Sequence, residues 1–498
     1  MANTFKDATA SEIDAVMQRS WQAFLMYRKY SLKQRADFMR QVAVELENIR
    51  GEVVPVAVKE TNLPEGRLSG ELSRTIFQLN NYADAAQAGD WLEARIDTAV
   101  PGRTPAPKPD LRKMLVPLGP VVVFGASNFP FAYSTAGGDT ACAFAAGCPV
   151  IVKAHPAHEE TSEIVAAAVL QAARETGMPE GIFAHVHGRS FETGKALVTH
   201  PLTKAVGFTG SLAGGKALFD MASQRAEPIP VFAEMGSINP IFLLPGKLDQ
   251  DAAGIAALYA GSITQGVGQF CTNPGLMFAI ESPALEVFTG TLSSALQKAS
   301  PETMLHPGIA KAFWQKRAAA LEQKGVHMES TTSLEATEVQ GIPTLASATA
   351  EAFLSNPVLH QEVFGPYSLL IKCKDAGEML NCIRHTEGQL TATLMATDTD
   401  METYADIADA VQHLSGRLIM NGVPTGVEVC LSMQHGGPYP ATTDSRFTSV
   451  GADGIKRFAR PLCFQNFSDQ FLPAELRNAN PLGIWRTVND KLTRDSIK

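Results

Sequence analysis

The chain is predicted to be an α/β protein, and three observations carry that prediction. Short β-branched runs recur at 121–124, 149–153, 182–186, 204–208 and 231–234. Alanine-rich or amphipathic helical segments, such as 163–176 and 190–199, separate them. Strands about 25 to 30 residues apart with helices between them are βαβ units, which build a parallel sheet covered by helices. A second α/β pattern begins near Ala252 and continues to about Gln434, with apolar runs at 276–280 and 367–371. A length of 498 residues leaves room for two or three domains and a large core.

Ser11 is expected to cap a first helix, with Asp14 three residues on; Ile13, Val16, Met17, Phe24 and Leu25 recur at helical spacing. Ser31 and Gln34 predict a capping box for a second helix that buries Phe38, Val42, Leu46 and Ile49. A further helical pattern spans about 65–88. Residues 98–110 hold Pro101, Pro105, Pro107 and Pro109, which exclude a helix and predict an extended arm. The tail after Arg460 is irregular, with prolines at 461, 473 and 481. No internal repeat is present.

Composition narrows the function classes. Hydrophobic residues make up 45% and charged residues 19%, the balance of a soluble globular chain. A formal net charge of −9 argues against nucleic acid and anionic membranes as partners, since both need basic surface. The N-terminal stretch has no basic segment followed by an apolar run, and no segment approaches the roughly 20 apolar residues of a membrane span. Seven cysteines, irregularly spaced and without a CxxC pair, fit a reducing, cytoplasmic setting.

One of these cysteines stands apart. Gly268-Gln269-Phe270-Cys271-Thr272 places a thiol between a glycine turn and a new hydrophobic run. A thiol is a nucleophile only as thiolate. Chemistry at Cys271 therefore needs a base, an oxyanion donor and an electron acceptor. Glu234, in Phe232-Ala233-Glu234-Met235-Gly236, ends an apolar strand and is a candidate base, because ligand sites in parallel sheets lie at the carboxyl ends of strands. Asn128, in Gly125-Ala126-Ser127-Asn128-Phe129-Pro130, also follows a strand; a side-chain amide held in a turn can donate to an alkoxide. Its alternative is an asparagine that stabilises the turn. The G-x-G-x-x-G fingerprint and the P-loop are absent, but Gly207-Phe208-Thr209-Gly210-Ser211 closes a strand and opens a helix, where backbone amides suit a pyrophosphate. The pairs His155/His158 and His185/His187 lack a third ligand nearby in sequence, so no metal is expected.

Six segments together resemble the aldehyde dehydrogenase superfamily. They are Ser127-Asn128-Phe129-Pro130, Val152-Lys153, Phe208-Thr209-Gly210-Ser211, Glu234-Met235-Gly236, Gly268-Gln269-Phe270-Cys271 and Glu362-Val363-Phe364-Gly365-Pro366, in the family's order over roughly residues 10 to 470. The resemblance implies a Rossmann-type cofactor domain (1–99 and 119–251), an α/β catalytic domain (252–440), and an oligomerisation arm and tail (100–118 and 441–498) in a homodimer or homotetramer. It implies oxidation of an aldehyde to a carboxylic acid with Cys271 as nucleophile, Glu234 as activator of water and Asn128 as oxyanion donor. It further implies Lys153 at the adenosine ribose, Gly210 and Ser211 at the pyrophosphate, and Glu362 at the nicotinamide ribose with Phe364 packed nearby.

Three departures from the family pattern add detail. Pro156 replaces the glutamate that many NAD-preferring members carry three residues after the lysine, while His155, His158 and Arg189 could attract a 2′-phosphate. NADP is therefore the expected cofactor, with NAD as the alternative. Phe124-Gly125-Ala126-Ser127 replaces the usual tryptophan-containing lead, and Gly436-Gly437-Pro438-Tyr439 stands where a "PFGG" segment is usual. These departures are similar to the branch acting on α-ketoglutarate semialdehyde (2,5-dioxopentanoate) and, more distantly, to NADP-dependent fatty aldehyde oxidisers. Arg74, and Ser445 or Arg446, are candidate partners for the substrate carboxylate. The rival readings are a long-chain aldehyde substrate, acyl transfer to coenzyme A, and a nucleotide-binding homologue without activity.

Overall fold

The computed structural model describes residues 5–497. Four helices open the chain: Ala10–Tyr27, Leu32–Asn48, Arg50–Thr61 and Glu65–Ala88. The first is capped by Thr9 rather than Ser11. The Thr9 hydroxyl accepts from the Glu12 amide, and the Glu12 carboxylate accepts from the Thr9 amide. The cap moves but the periodicity does not, so Ile13, Met17 and Phe24 remain buried. Ser31 and Gln34 form the expected box.

Five strands form a wholly parallel sheet in the order Phe183–Val186, Val150–Lys153, Val121–Phe124, Ala205–Thr209, Val231–Glu234. Val121–Phe124 is buried along its whole length, as befits a central strand with helices on both faces. The strand order reverses between Val121–Phe124 and Ala205–Thr209, which opens a crevice beyond their carboxyl ends. Residues 125–130 leave the first of these strands, Gly210 and Ser211 the second, and Glu234 ends the neighbouring one.

A second sheet of seven strands runs Val326–Thr331, Thr344–Thr349, Tyr367–Cys373, Leu276–Ile280, Ile241–Leu243, Gln389–Met395, Ser415–Met420, with only the first antiparallel to its neighbour. Ile241–Leu243 was expected in the first unit's span of 119–251. It lies instead between two strands of the second sheet, so the sheets part within residues 235–240. Three buried apolar residues carry no periodicity that assigns them to one sheet or the other.

The proline-rich stretch is a loop closed by Val100 and Lys108, which exchange backbone hydrogen bonds. It leads into Leu111–Pro117. That strand joins Arg95–Asp97, Ala459–Gln465, Arg486–Val488 and Lys491–Thr493 in a third sheet, so arm and tail pair within one chain. All seven cysteines are free, and four of them are buried. Among the described residues no helix is long and apolar enough to cross a membrane.

Candidate active site

A cavity of about 450 Å³ lies where the crevice of the first sheet meets the second. Asn128, Gly210, Ser211, Glu234, Cys271, Glu362 and Phe364 all line it, together with His155 and His306. The structure thus gathers residues from seven separate segments of the sequence.

Cys271 is placed by an unusual turn. Gly266, Val267 and Gly268 take φ values of 55°, 59° and 62° in succession. The left-handed region suits glycine but strains a β-branched valine. Packing of Val267 among buried residues of the second unit offsets that cost. Gly268 is required by proximity as well, since a Cβ there would stand 2.4 Å from the Gly365 carbonyl carbon. The Cys271 segment is thereby seated on the Glu362–Pro366 segment. Asn239, itself at φ 48°, donates from its amide to the carbonyls of Cys271 and Asn273, each at 2.9 Å. Gln389 accepts from the amides of Ile238 and Asn239 and so holds that turn.

Asn128 donates one amide hydrogen to the Gln269 carbonyl at 3.1 Å, which leaves its second hydrogen for the cavity. Arg67 braces it from behind. Its guanidinium donates to the Asn128 carbonyl at 2.8 Å and lies over the rings of Phe129 and Phe270. Glu71, buried one helical turn on from Arg67, accepts from the amides of Phe131 and Ala132 and fixes the rest of that turn.

Glu234 is enclosed by partners that no local motif announces. His435 Nε2 lies 3.1 Å from its Oε1, and the Ser449 hydroxyl donates to Oε2 at 2.5 Å. The same His435 nitrogen stands 3.6 Å from Cys271 Sγ. Burial opposes ionisation of Glu234, but His435 and the Ser449 hydroxyl outweigh it and hold the carboxyl below its usual range. Burial, and then the negative charge of Glu234, push the Cys271 thiol well above its ordinary value. The pair therefore rests as carboxylate and thiol, with the base beside the proton it would take. His435 lies in the His435-Gly436-Gly437 stretch; that motif marked the segment but not its contact with a residue 201 positions earlier.

On the cofactor side, Ser211 caps the helix Leu212–Ser223 by accepting from the Gly214 amide, and the helix start faces the cavity. Glu362 is pushed up to about 7 by burial, and its Oε2 lies where a Cβ on Gly236 would come within 2.7 Å. A carboxyl group withdrawn from water in this way is suited to a ligand's hydroxyls. Lys153, at the end of its strand, is half-buried and lies near Asp7 and Glu159.

The remaining candidate residues lie in different surroundings. His158 is fully buried, and its Nε2 lies 2.8 Å from the Ala126 carbonyl, so its ring is turned inward. His155 reaches the cavity, but burial, with His158 alongside, pushes its pKa well down and leaves it neutral. Arg189 is held by an ion pair with Glu159. Ser445 and Arg446 sit on an exposed turn outside the cavity, with Arg446 paired to Asp444 at 2.6 Å. Arg74 does approach the site: it lies over the Tyr133 ring, and its charge is felt at Cys271. A second arginine was missed in sequence. Arg417, on the strand Ser415–Met420, is within electrostatic reach of Cys271 and Tyr133; its terminal nitrogens donate to the Gly426 and Pro424 carbonyls, and its Nε is buried without a partner.

The chain belongs to the aldehyde dehydrogenase family: the family's model matches residues 1–453. Its reaction class is the NAD(P)-dependent oxidation of an aldehyde. The chain is 45% identical over 492 residues to an alpha-ketoglutaric semialdehyde dehydrogenase of Acinetobacter baylyi, covering 99% of this chain and 93% of the relative. It is 46% identical over 490 residues to alpha-ketoglutaric semialdehyde dehydrogenase 2 of Azospirillum brasilense, covering 98% and 93%. Among solved structures, a 3,6-anhydro-L-galactose dehydrogenase shares the fold, with a TM-score of 0.77 at 21% identity and 92% of each chain covered.

Proposed function

We propose that the chain oxidises α-ketoglutarate semialdehyde to 2-oxoglutarate with NADP as electron acceptor. The observation that carries the substrate is the Arg74 guanidinium, which lies over the Tyr133 ring near Cys271 with a buried, unpartnered Nε; Arg417 adds positive charge near Cys271 and Tyr133 while its two terminal nitrogens donate to the Gly426 and Pro424 carbonyls. A substrate with an aldehyde at one end and a keto acid at the other brings a carboxylate to that side. Arginine forks bind such groups in two-point fashion. Two relatives bearing that substrate's name, matched across nearly the whole chain, support the same reading.

Each residue's part follows from its place. Glu234, ionised and beside the thiol, takes the Cys271 proton. The thiolate adds to the aldehyde carbon and forms a thiohemiacetal. Its negative oxygen is met by the free Asn128 amide hydrogen and the Cys271 backbone N–H. NADP, when bound, supplies the acceptor for the hydride that leaves this carbon. A thioester on Cys271 remains. Glu234 sheds the thiol's proton and then removes one from water, which attacks the thioester and frees the acid. His435 acts as a hydrogen-bond donor in this scheme. Its buried Nδ1 has no partner, so the tautomer with the proton on Nε2 orphans no N–H. That Nε2–H points at both Glu234 and Cys271, where it orients the base and steadies the thiolate.

The cofactor reading assigns Gly210 and the helix start after Ser211 to the pyrophosphate, Lys153 to the adenosine ribose, Glu362 to the second ribose and Phe364 to packing against it. Pro156 leaves no carboxylate three residues after Lys153, which favours a 2′-phosphate. Association into an oligomer through the third sheet is supported by exposed Phe467, Phe471, Trp485 and Leu492 along the tail.

The test is an aldehyde panel with NAD and with NADP: α-ketoglutarate semialdehyde, succinate semialdehyde, glutaraldehyde and long-chain aldehydes. The highest kcat/KM is expected for the keto-acid semialdehyde with NADP and a free-acid product by mass spectrometry. Preference for a long-chain aldehyde, or an acyl-CoA product, would overturn the substrate reading.

A further inference from the structure

We propose that Glu163, His185 and His187 form a binding site for a divalent transition-metal ion of the zinc class, outside the catalytic cavity. The two histidines are two residues apart at the end of the edge strand Phe183–Val186, so both imidazoles project to one side. The sequence offers them no neighbouring third ligand. The fold supplies it from the helix Glu159–Glu175: Glu163 Oε2 lies 3.0 Å from His185 Nδ1 and 2.8 Å from His187 Nε2.

Three observations point to an ion. The first is spacing. Nitrogen and oxygen ligands about 2.0–2.1 Å from one metal, at octahedral to tetrahedral angles, stand about 2.9–3.4 Å apart; the two edges here are close to that range, and all three ligand atoms lie within 4.8 Å of one another. The second is the state of the outer nitrogens. His185 Nε2 is 2.8 Å from the Ser162 hydroxyl, which is itself 2.5 Å from Thr135 Oγ1. His187 Nδ1 is buried without a hydrogen-bond partner, with Glu159 Oε1 3.9 Å away. An oxygen behind the ring, as His185 has, is how metal-ligating imidazoles are held. The third is rigidity: Phe5 stacks on His187 with centroids 4.2 Å apart, and the two imidazoles stand at 87° to each other. Two imidazoles and one carboxylate favour Zn²⁺, Co²⁺ or Ni²⁺ over the all-oxygen cations. The ion would replace the two protons now shared with Glu163 and tie the helix, the edge strand and the segment at Phe5 together.

Cys271, Glu234 and His435 also place ligand-type atoms together, so the test removes that thiol. Co²⁺ is titrated into the full-length Cys271→Ser protein, followed by its visible d–d absorption and by thermal unfolding. Uptake of one Co²⁺ per chain and a raised unfolding midpoint are expected. Ser162→Ala should weaken binding about tenfold, and His187→Ala and the near-isosteric Glu163→Gln by at least about that much. Glu163 is half exposed, so the glutamine variant keeps the fold; circular dichroism and NADP binding verify this. No stoichiometric uptake by the Cys271→Ser protein, or uptake unchanged by both His187→Ala and Glu163→Gln, overturns the proposal.

Discussion

His435 Nε2 stands 3.1 Å from Glu234 Oε1, which links the end of a strand in the first sheet to a segment 201 residues later. The contact gives the base a neighbour that donates a hydrogen bond and faces the nucleophile at the same time. If His435 works as a donor, the position of the donated hydrogen decides which replacement is tolerated. Glutamine places an amide N–H near the Nε2 position; asparagine and alanine do not. His435→Gln should retain most of kcat, while His435→Asn and His435→Ala lose roughly 10- to 100-fold. In those two variants the acid limb of the kcat/KM profile should move up in pH, because Glu234 loses a contact that holds its pKa down. Equal losses in all three variants would exclude the donor role.

Glu234→Gln separates the two halves of the reaction. Its water-activating role predicts that hydride transfer still occurs once per site. Rapid-mixing absorbance should show a stoichiometric NADPH burst, slower than wild type, followed by turnover reduced on the order of 10²- to 10⁴-fold. Cys271→Ser should show no burst. Steady turnover without a burst in Glu234→Gln would place the base elsewhere.

Asn128→Asp keeps the shape of the side chain but replaces the amide donor with a carboxylate. The expected loss in kcat is on the order of 10²- to 10³-fold with little change in NADP affinity. Asn128→Ala should lose a similar factor and lower the unfolding midpoint as well, since the Gln269 carbonyl loses its partner.

Arg74 and Arg417 are expected to read the carboxylate. Replacing either by methionine should raise KM for α-ketoglutarate semialdehyde by roughly 10- to 100-fold, the range of a hydrogen bond to a charged group. An uncharged aldehyde of similar length should be affected by less than about threefold. Parallel losses with both aldehydes would assign the arginines to structure.

Glu362 gives a pH prediction. Its carboxyl is pushed up to about 7, so it is ionised above that pH and protonated below it. A carboxylate accepts from two ribose hydroxyls, whereas the protonated form offers fewer acceptor sites. The Kd for NADP should therefore rise as pH falls through about 7. Glu362→Gln should bind more weakly at pH 8 and lose that dependence, measured by quenching of intrinsic fluorescence.

How far the sequence could be read depended on the range of the contacts. The five strands of the first sheet and the cysteine, glutamate and asparagine at the crevice carry local patterns: an apolar run followed by a turn with a functional side chain. Their positions agree with the fold. What failed was decided at long range. Ile241–Leu243 is too short to show which sheet it joins. His158 is near Lys153 in sequence, yet its ring turns inward to the Ala126 carbonyl. Ser445 and Arg446 have the chemistry to hold a carboxylate, but the loop carries them to the surface, while Arg417 arrives from a strand that no motif marks. Thr9 took the cap from Ser11 because both offer a hydroxyl and only the backbone path into the helix distinguishes them.

The third sheet has a consequence for synthesis. Leu111–Pro117 leaves the ribosome early and pairs with Arg95–Asp97, but its other edge is filled by Ala459–Gln465, roughly 340 residues later. At about 5–20 residues per second, the nascent hairpin waits on the order of 20 to 70 s with open backbone edges. Such edges recruit foreign strands. The lysine, arginine and proline residues along this hairpin, Lys108, Pro109, Arg112 and Lys113 among them, are the kinds of side chain that keep a waiting edge from aggregating.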